Sequence, residues 1–167
     1  WWELRACDYY DEFEKEKIIY AEISIRGAFT IDSEHLYAET TTYILPNKSR
    51  YLLGLLNSKL FTYSFGKISS EVRGGFFRWK KQYMETMPIH RIDENNPAKT
   101  KVRDRIVSLV ESILAMNKQL SESDGHDRTM LQRQIDATDR EIDSLVYGLY
   151  GLTAEEIAIV EGKTTQI

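Results

Sequence analysis

The sequence predicts an α+β fold: a small mixed, β-rich globular part, followed by an antiparallel helical hairpin and a short C-terminal helix. Three observations predict it. Uninterrupted β-branched runs are confined to the first third of the chain. Two apolar stripes with alternating steps of four and three fill the last third. Between them, the polar stretch Asp93 to Ala98 reads as a linker and divides the chain into 1–96 and 97–167.

Taken in order, Lys17 to Arg26 is β-branched and partly alternating, with no Gly or Pro inside it, and predicts a strand stopped by Gly27. Ala28 to Asp32 predicts a short return strand, and Glu39 to Leu45 a third strand stopped by Pro46. Asn47 and Ser49 can each cap a helix. That helix would bury Leu52, Leu55, Leu56, Leu60 and Tyr63 on one face. Residues 66–82 read as irregular, with Gly74-Gly75 allowing backbone conformations closed to other residues.

Asn96 then caps a helix that has Pro97 at its first position. Val102, Ile106, Leu109, Ile113, Met116 and Leu120 form its seam, broken by the polar run Ser121 to Asp127. Leu131, Ile135, Thr138, Ile142, Leu145 and Leu149 repeat the same spacing. Two matched seams joined by a short polar loop predict a helical hairpin. Gly151 ends its second helix, and Thr153 with Glu156 predicts a capping box that opens a last helix over 154–161.

With 167 residues, 42% of them hydrophobic, the chain suffices for one or two small domains with real cores. It begins at Trp1 without an initiator Met and reads as a piece of a longer protein. Its opening is too acidic and aromatic for a signal peptide, and no apolar run reaches the roughly 18–20 residues that span a bilayer. Cys7, the lone cysteine, makes no internal disulfide. These features predict a cytoplasmic protein with no membrane partner.

The motifs of most reaction centres are missing. There is no GxGxxG or GxxxxGK[ST] cradle for a nucleotide and no HExxH for zinc. His35, His90 and His126 are scattered. Beside Asp8, Cys7 is poorly placed to become a thiolate nucleophile. Asp8, Asp11, Glu12, Glu14 and Glu16 have Lys15 and Lys17 among them, and read as a solvated turn rather than a cation site. Glu161-Gly-Lys163 has the ExK spacing of metal-dependent nucleases, without a partnered Asp strand. No catalytic, cofactor-binding or metal-binding residue is therefore assigned.

The net charge of −4 hides an asymmetry. Residues 1–47 hold four basic and ten acidic side chains, and residues 92–167 nine and fourteen. Residues 48–91 hold nine basic side chains against Glu71 and Glu85, a local charge of +7. Two readings fit this block: an electrostatic footprint for phosphate, or a solvated face that balances the acidic ends. On the first reading, Lys48, Arg50, Lys67, Lys80 and Lys81 hold phosphates, Ser69 belongs to the same surface, and Arg73 and Arg78 reach base edges. Phe76, Phe77 and Trp79 have two open roles, stacking on an unstacked base or anchoring the loop to the core; Trp79 is counted among the candidate DNA contacts.

These residues also carry a resemblance. The stretch from Phe13 to Ser24, with Phe29 and Asp32 after it, is similar to the opening of the TaqI-like C-terminal specificity domain. Thr42-Tyr43, Tyr51 to Lys59, Gly74-Gly75 and Met87-Pro88-Ile89 follow that family's order, and the tail from Ile142 to Ile157 resembles the ending of such enzymes. Where members of the family often have proline, this chain has Glu16 and Ala21. The resemblance implies target recognition within an adenine-specific DNA methyltransferase or a restriction–modification enzyme, with a role in phage defence. It implies double-stranded DNA as one partner and the parent protein's catalytic domain as another. That domain would bind S-adenosylmethionine and hold an Asn-Pro-Pro-Tyr-type motif, which this chain lacks. The alternative from the residues alone is a protein-interaction or self-association module acting through the helical hairpin. It predicts salt-insensitive oligomerisation and no affinity for DNA.

Overall fold

The structure, a computed structural model, describes residues 9–163. Cys7 and Asp8 lie outside the described residues. The architecture is α+β, with two small antiparallel sheets followed by long helices.

The predicted first strand is two strands. β1 (Lys17–Ala21) and β2 (Ile23–Ser24) belong to different sheets, and Glu22 is the joint. Its N–H donates to the Thr41 carbonyl at 2.9 Å, while its own carbonyl accepts from the Trp79 N–H at 2.7 Å. One residue thus bonds toward both sheets, which is why an unbroken β-branched run does not make an unbroken strand. The first sheet has β1 at its centre, between β3 (Phe29–Asp32) and β4 (Thr42–Leu45). Pairing Ile18 with Ile31 and Tyr20 with Phe29 sends Ile18, Tyr20 and Phe29 into the core.

Ser49 caps α1 (Arg50–Asn57), accepting from the Leu52 N–H, and Asn47 braces it by accepting from the Ser49 N–H at 2.8 Å. The single predicted helix divides at Ser58. That hydroxyl donates to the Leu55 carbonyl at 2.7 Å and accepts from the Phe61 N–H, so it closes α1 and caps α2 (Lys59–Ile68) together. The break turns Phe61 and Phe65 onto the core alongside Leu53, Leu55 and Leu56. Asn57 fixes α1 to the first sheet by bonding both backbone groups of Phe29 at 3.0 Å.

Residues 66–82 are more ordered than the sequence predicts. α2 runs to Ile68, and β5 (Glu71–Val72) pairs with β6 (Phe76–Arg78) across a three-residue connection. Gly74 and Gly75 close that connection with φ of 94° and 79°, where a Cβ is strongly disfavoured. β6 is central in the second sheet, between β2 and β5. A one-turn helix, α3 (Lys81–Met84), follows.

Asn96 caps α4 (Pro97–Glu122), with Pro97 in its first turn. α5 (Gly125–Tyr150) starts after only two non-helical residues, so the predicted polar break is far shorter than Ser121 to Asp127. The helices pair within the chain and bury Ile106, Leu109, Ile135, Ile142 and Val146. Arg105 and Glu141 bridge them at 2.7 Å on the surface. Gly151 ends α5 in the left-handed conformation, and Thr153 with Glu156 forms the predicted capping box of α6 (Ala154–Val160).

The hairpin shares its core with the β-rich part. Leu53, Phe65, Trp79, Ile106, Val110 and Val146 belong to one buried cluster. α1 lies so close to α4 that a Cβ at Gly54 would fall 2.7 Å from the Ile106 Cγ2.

Candidate nucleic-acid interface

The site is the β5–β6 ribbon and the segments entering and leaving it. Its anchor is Trp79, only 1% exposed. The indole lies parallel to the Phe65 ring, with centroids 4.0 Å apart, and its N–H donates to the Ser24 carbonyl at 3.2 Å. Phe77 meets Trp79 and Phe65 edge-on. Trp79 is therefore corrected as a candidate DNA contact: its ring is consumed by the core and presents no face to a base. Of the three aromatic candidates, only Phe76 lies on the exposed side of the ribbon.

The cationic candidates divide into two places. Arg73 stands exposed on the turn, and Arg78 on the outer face of β6. The Arg78 Nε lies 3.8 Å from Glu22, beyond hydrogen-bonding distance, and makes no hydrogen bond. Lys80 and Lys81 open α3 directly after the ribbon; the Lys81 side chain is 84% exposed, with Glu85, the C-cap of α3, at 3.4 Å. Lys67 sits near the end of α2 with its ammonium 4.8 Å from the Tyr63 ring centroid. Ser69 ends that helix, and its hydroxyl is buried without a hydrogen-bond partner.

Lys48 and Arg50 stand apart, at the start of α1. Lys48 is exposed, whereas Arg50 donates to Glu16 at 2.6 Å. That bond holds the Glu16 carboxyl below the usual carboxylate range. An arginine already paired in this way is less available to phosphate than its charge suggests, and proximity in sequence did not reveal the pairing.

Arg26 is a residue the charge count missed, because it falls in the acidic first third. It lines a cleft of about 760 Å³ together with Lys59, Lys67, Tyr63 and Phe77. The opposite wall is α5, with Asp136, Asp139 and Asp143 at helical spacing. Burial holds the Asp139 carboxyl above its ordinary range, partly offset by Arg26. The cleft is thus mixed in charge, whereas at the ribbon Arg73, Arg78, Lys80 and Lys81 outnumber the nearby Glu22, Glu71 and Glu85.

Most of the other acidic residues weighed as a cation site are engaged elsewhere. Glu12 pairs with Lys15, Glu14 accepts from the Tyr37 hydroxyl, and Glu161 pairs with Lys163 and Lys59. Among the described residues, no group of three or more His, Cys, Asp or Glu is arranged to hold a metal ion.

A sequence model of the TaqI-like C-terminal specificity domain matches residues 3–89, more than half of the chain. The chain belongs to this family. No curated protein matches its sequence. As a TaqI-like specificity domain, it has a DNA-specificity role in a methyltransferase-type protein, a role distinct from catalysis. The matched segment includes both sheets, α1, α2 and the whole ribbon, while the helical hairpin lies outside it. Among the described residues of this specificity domain, no helix is long and apolar enough to cross a membrane.

Proposed function

We propose that this chain recognises a specific sequence in duplex DNA, as the specificity domain of an adenine-specific DNA methyltransferase or restriction–modification enzyme. The observation that supports it best is the ribbon itself: the β5–β6 pair at one edge of the second sheet, a kind of element the major groove admits, with Arg73, Arg78, Lys80 and Lys81 on it or at its exit. Lys67, Lys80, Lys81 and Lys48 supply sequence-blind phosphate contacts, with Arg50 after release from Glu16; the buried Ser69 hydroxyl does not reach a phosphate. Arg73 and Arg78 approach base edges, where an arginine pairs with guanine through two hydrogen bonds.

In this reading, residues 1–96 are the recognition unit, and 97–167 brace it against the catalytic domain or a second copy. That catalytic domain, outside this chain, binds S-adenosylmethionine and flips the target adenine out of the stack before transfer. The setting in this reading is cytoplasmic defence against phage DNA.

The test is enrichment of random duplexes on the purified chain at low and moderate salt. Salt-sensitive enrichment of one short motif is the expected result. Absence of retention at low salt would overturn the reading and turn attention to the hairpin as a protein-binding surface.

A further inference from the structure

The outer face of the second sheet is unusually apolar. Register pairs Ile23 with Arg78 and Val72 with Phe76, and residues opposite one another in neighbouring strands project to the same side. Phe77 turns inward onto Phe65 and Trp79, so Ile23, Val72, Phe76 and Arg78 face outward. Ile23 is 43% and Phe76 37% exposed, and Ile25, just past the end of β2, is 59% exposed. The solvated side of an antiparallel sheet is ordinarily polar, and grouped exposed apolar side chains mark a contact surface.

The cations around this face favour DNA as its occupant. Arg78 stands within it, Arg73 lies at the turn, and Lys80 and Lys81 follow. In the major groove, base edges offer donors, acceptors and a single kind of apolar group, the thymine 5-methyl. An apolar residue between two arginines is therefore matched to thymine, as the arginines are to guanine. The Phe76 ring also lies against the turn backbone: a Cβ at Gly74 would stand 3.6 Å from its Cδ2.

We propose that Phe76 is a specificity-determining residue whose ring covers the 5-methyl group of one thymine in the target duplex. The inference rests on the reading of this chain as a duplex-DNA recognition module. It assigns part of the sequence preference to burial of a methyl group, independently of hydrogen bonding.

The enriched motif is resynthesised with each thymine in turn replaced by deoxyuridine, which removes the methyl and keeps the Watson–Crick pair. One position should bind about fourfold more weakly, the value of one buried methyl group. Phe76→Ala should lose a comparable factor on the thymine duplex and nothing further on the deoxyuridine duplex. Phe76→Gln, a second variant with a larger polar side chain, should show the same insensitivity, with circular dichroism confirming that both are folded. If no thymine position responds, if the motif has no A·T pair, or if both variants remain as sensitive to deoxyuridine as the parent, the thymine contact is overturned while DNA recognition stands. If the parent chain retains no duplex at low salt, recognition itself fails and the contact falls with it.

Discussion

The backbone N–H of Lys59 donates to Oδ1 of Asp143 at 2.8 Å, across 84 positions of sequence. A carboxylate on α5 thereby occupies the N-terminus of α2, where unsatisfied backbone donors and the helix dipole favour negative charge. The Lys59 ammonium, half in solvent, lies 3.6 Å from the other carboxylate oxygen and 3.5 Å from Glu161. Burial pushes the Asp143 carboxyl upward against these bonds, and burial prevails. The hairpin is thus tied to the matched specificity domain by a polar joint as well as by the shared core.

Replacing Asp143 by Ala should lower stability by about 1–2 kcal/mol, the range for a lost cap with a buried donor left unpaired. Asp143→Asn keeps an acceptor and should lose less than half of that. Urea denaturation at neutral pH measures both; equal losses would mean that the ionic charge, rather than the cap, matters.

Lys17 and Asp32 form a buried pair, their side chains 0% and 1% exposed and 2.5 Å apart. Lys17 also donates to the Phe13 carbonyl, and Asp32 accepts from the N–H groups of Glu34 and Leu36. Burial raises the Asp32 carboxyl, but the Lys17 bond and the two backbone donors outweigh it, so its folded pKa lies below the ordinary 3.8. A depressed folded value means that this carboxylate stabilises the fold above about pH 4 and loses its contribution as pH falls through the folded value. Asp32→Asn should cost about 3–5 kcal/mol at pH 7 by leaving Lys17 uncompensated. The gap between parent and variant should close in acid, as read by denaturation midpoints from pH 7 down to pH 2.

Gly54→Ala should destabilise the chain, although alanine is the better helix former by about 1 kcal/mol. The new Cβ would stand 2.7 Å from Ile106 and 3.1 Å from Val110, both buried and β-branched. Overpacking of this kind costs about 1–3 kcal/mol, enough to outweigh the gain in propensity. A thermal midpoint above that of the parent would show that α4 yields more easily than its packing implies.

Trp79, Arg73 and Lys81 should separate into three kinds of loss. Trp79→Ala removes the core anchor and should cost about 3–5 kcal/mol of stability. Arg73→Ala should leave the thermal midpoint unchanged and relax preference at one position of the motif. Lys81→Ala should weaken all duplexes alike and reduce the slope of log affinity on log salt by about one. Unchanged sequence preference in both Arg73→Ala and Arg78→Ala would remove these two from the base-reading set.

Local signals predicted most of the architecture. The seam through Ile106 and Leu109, the Asn96 cap and the Thr153–Glu156 box depend on neighbours within one or two turns, and each stands where its spacing puts it. The division at Glu22 depends on bonds to Thr41 and Trp79, which no window around residue 22 contains. Likewise, the ribbon is anchored where Trp79 stacks on Phe65, a tertiary contact invisible in a glycine-rich stretch. The candidate site was legible as a concentration of charge, but not as geometry. The pairing of Arg50 with Glu16 and the position of Arg26 at the cleft both arise from chain segments brought together only by folding.

At the ribbon, buried anchoring stops at Phe77 and Trp79, whereas Arg73, Gly74 and Phe76 are exposed and Gly75 has nothing within 4 Å of its Cβ position. Mutations at Arg73 and Phe76 can therefore accumulate without disturbing the chassis that holds them, while Gly74 and Gly75 are kept by their positive φ. Such a division lets the exposed turn diversify as fast as its targets do, and offers protein engineers a short cassette to randomise while the rest of the chain is left alone.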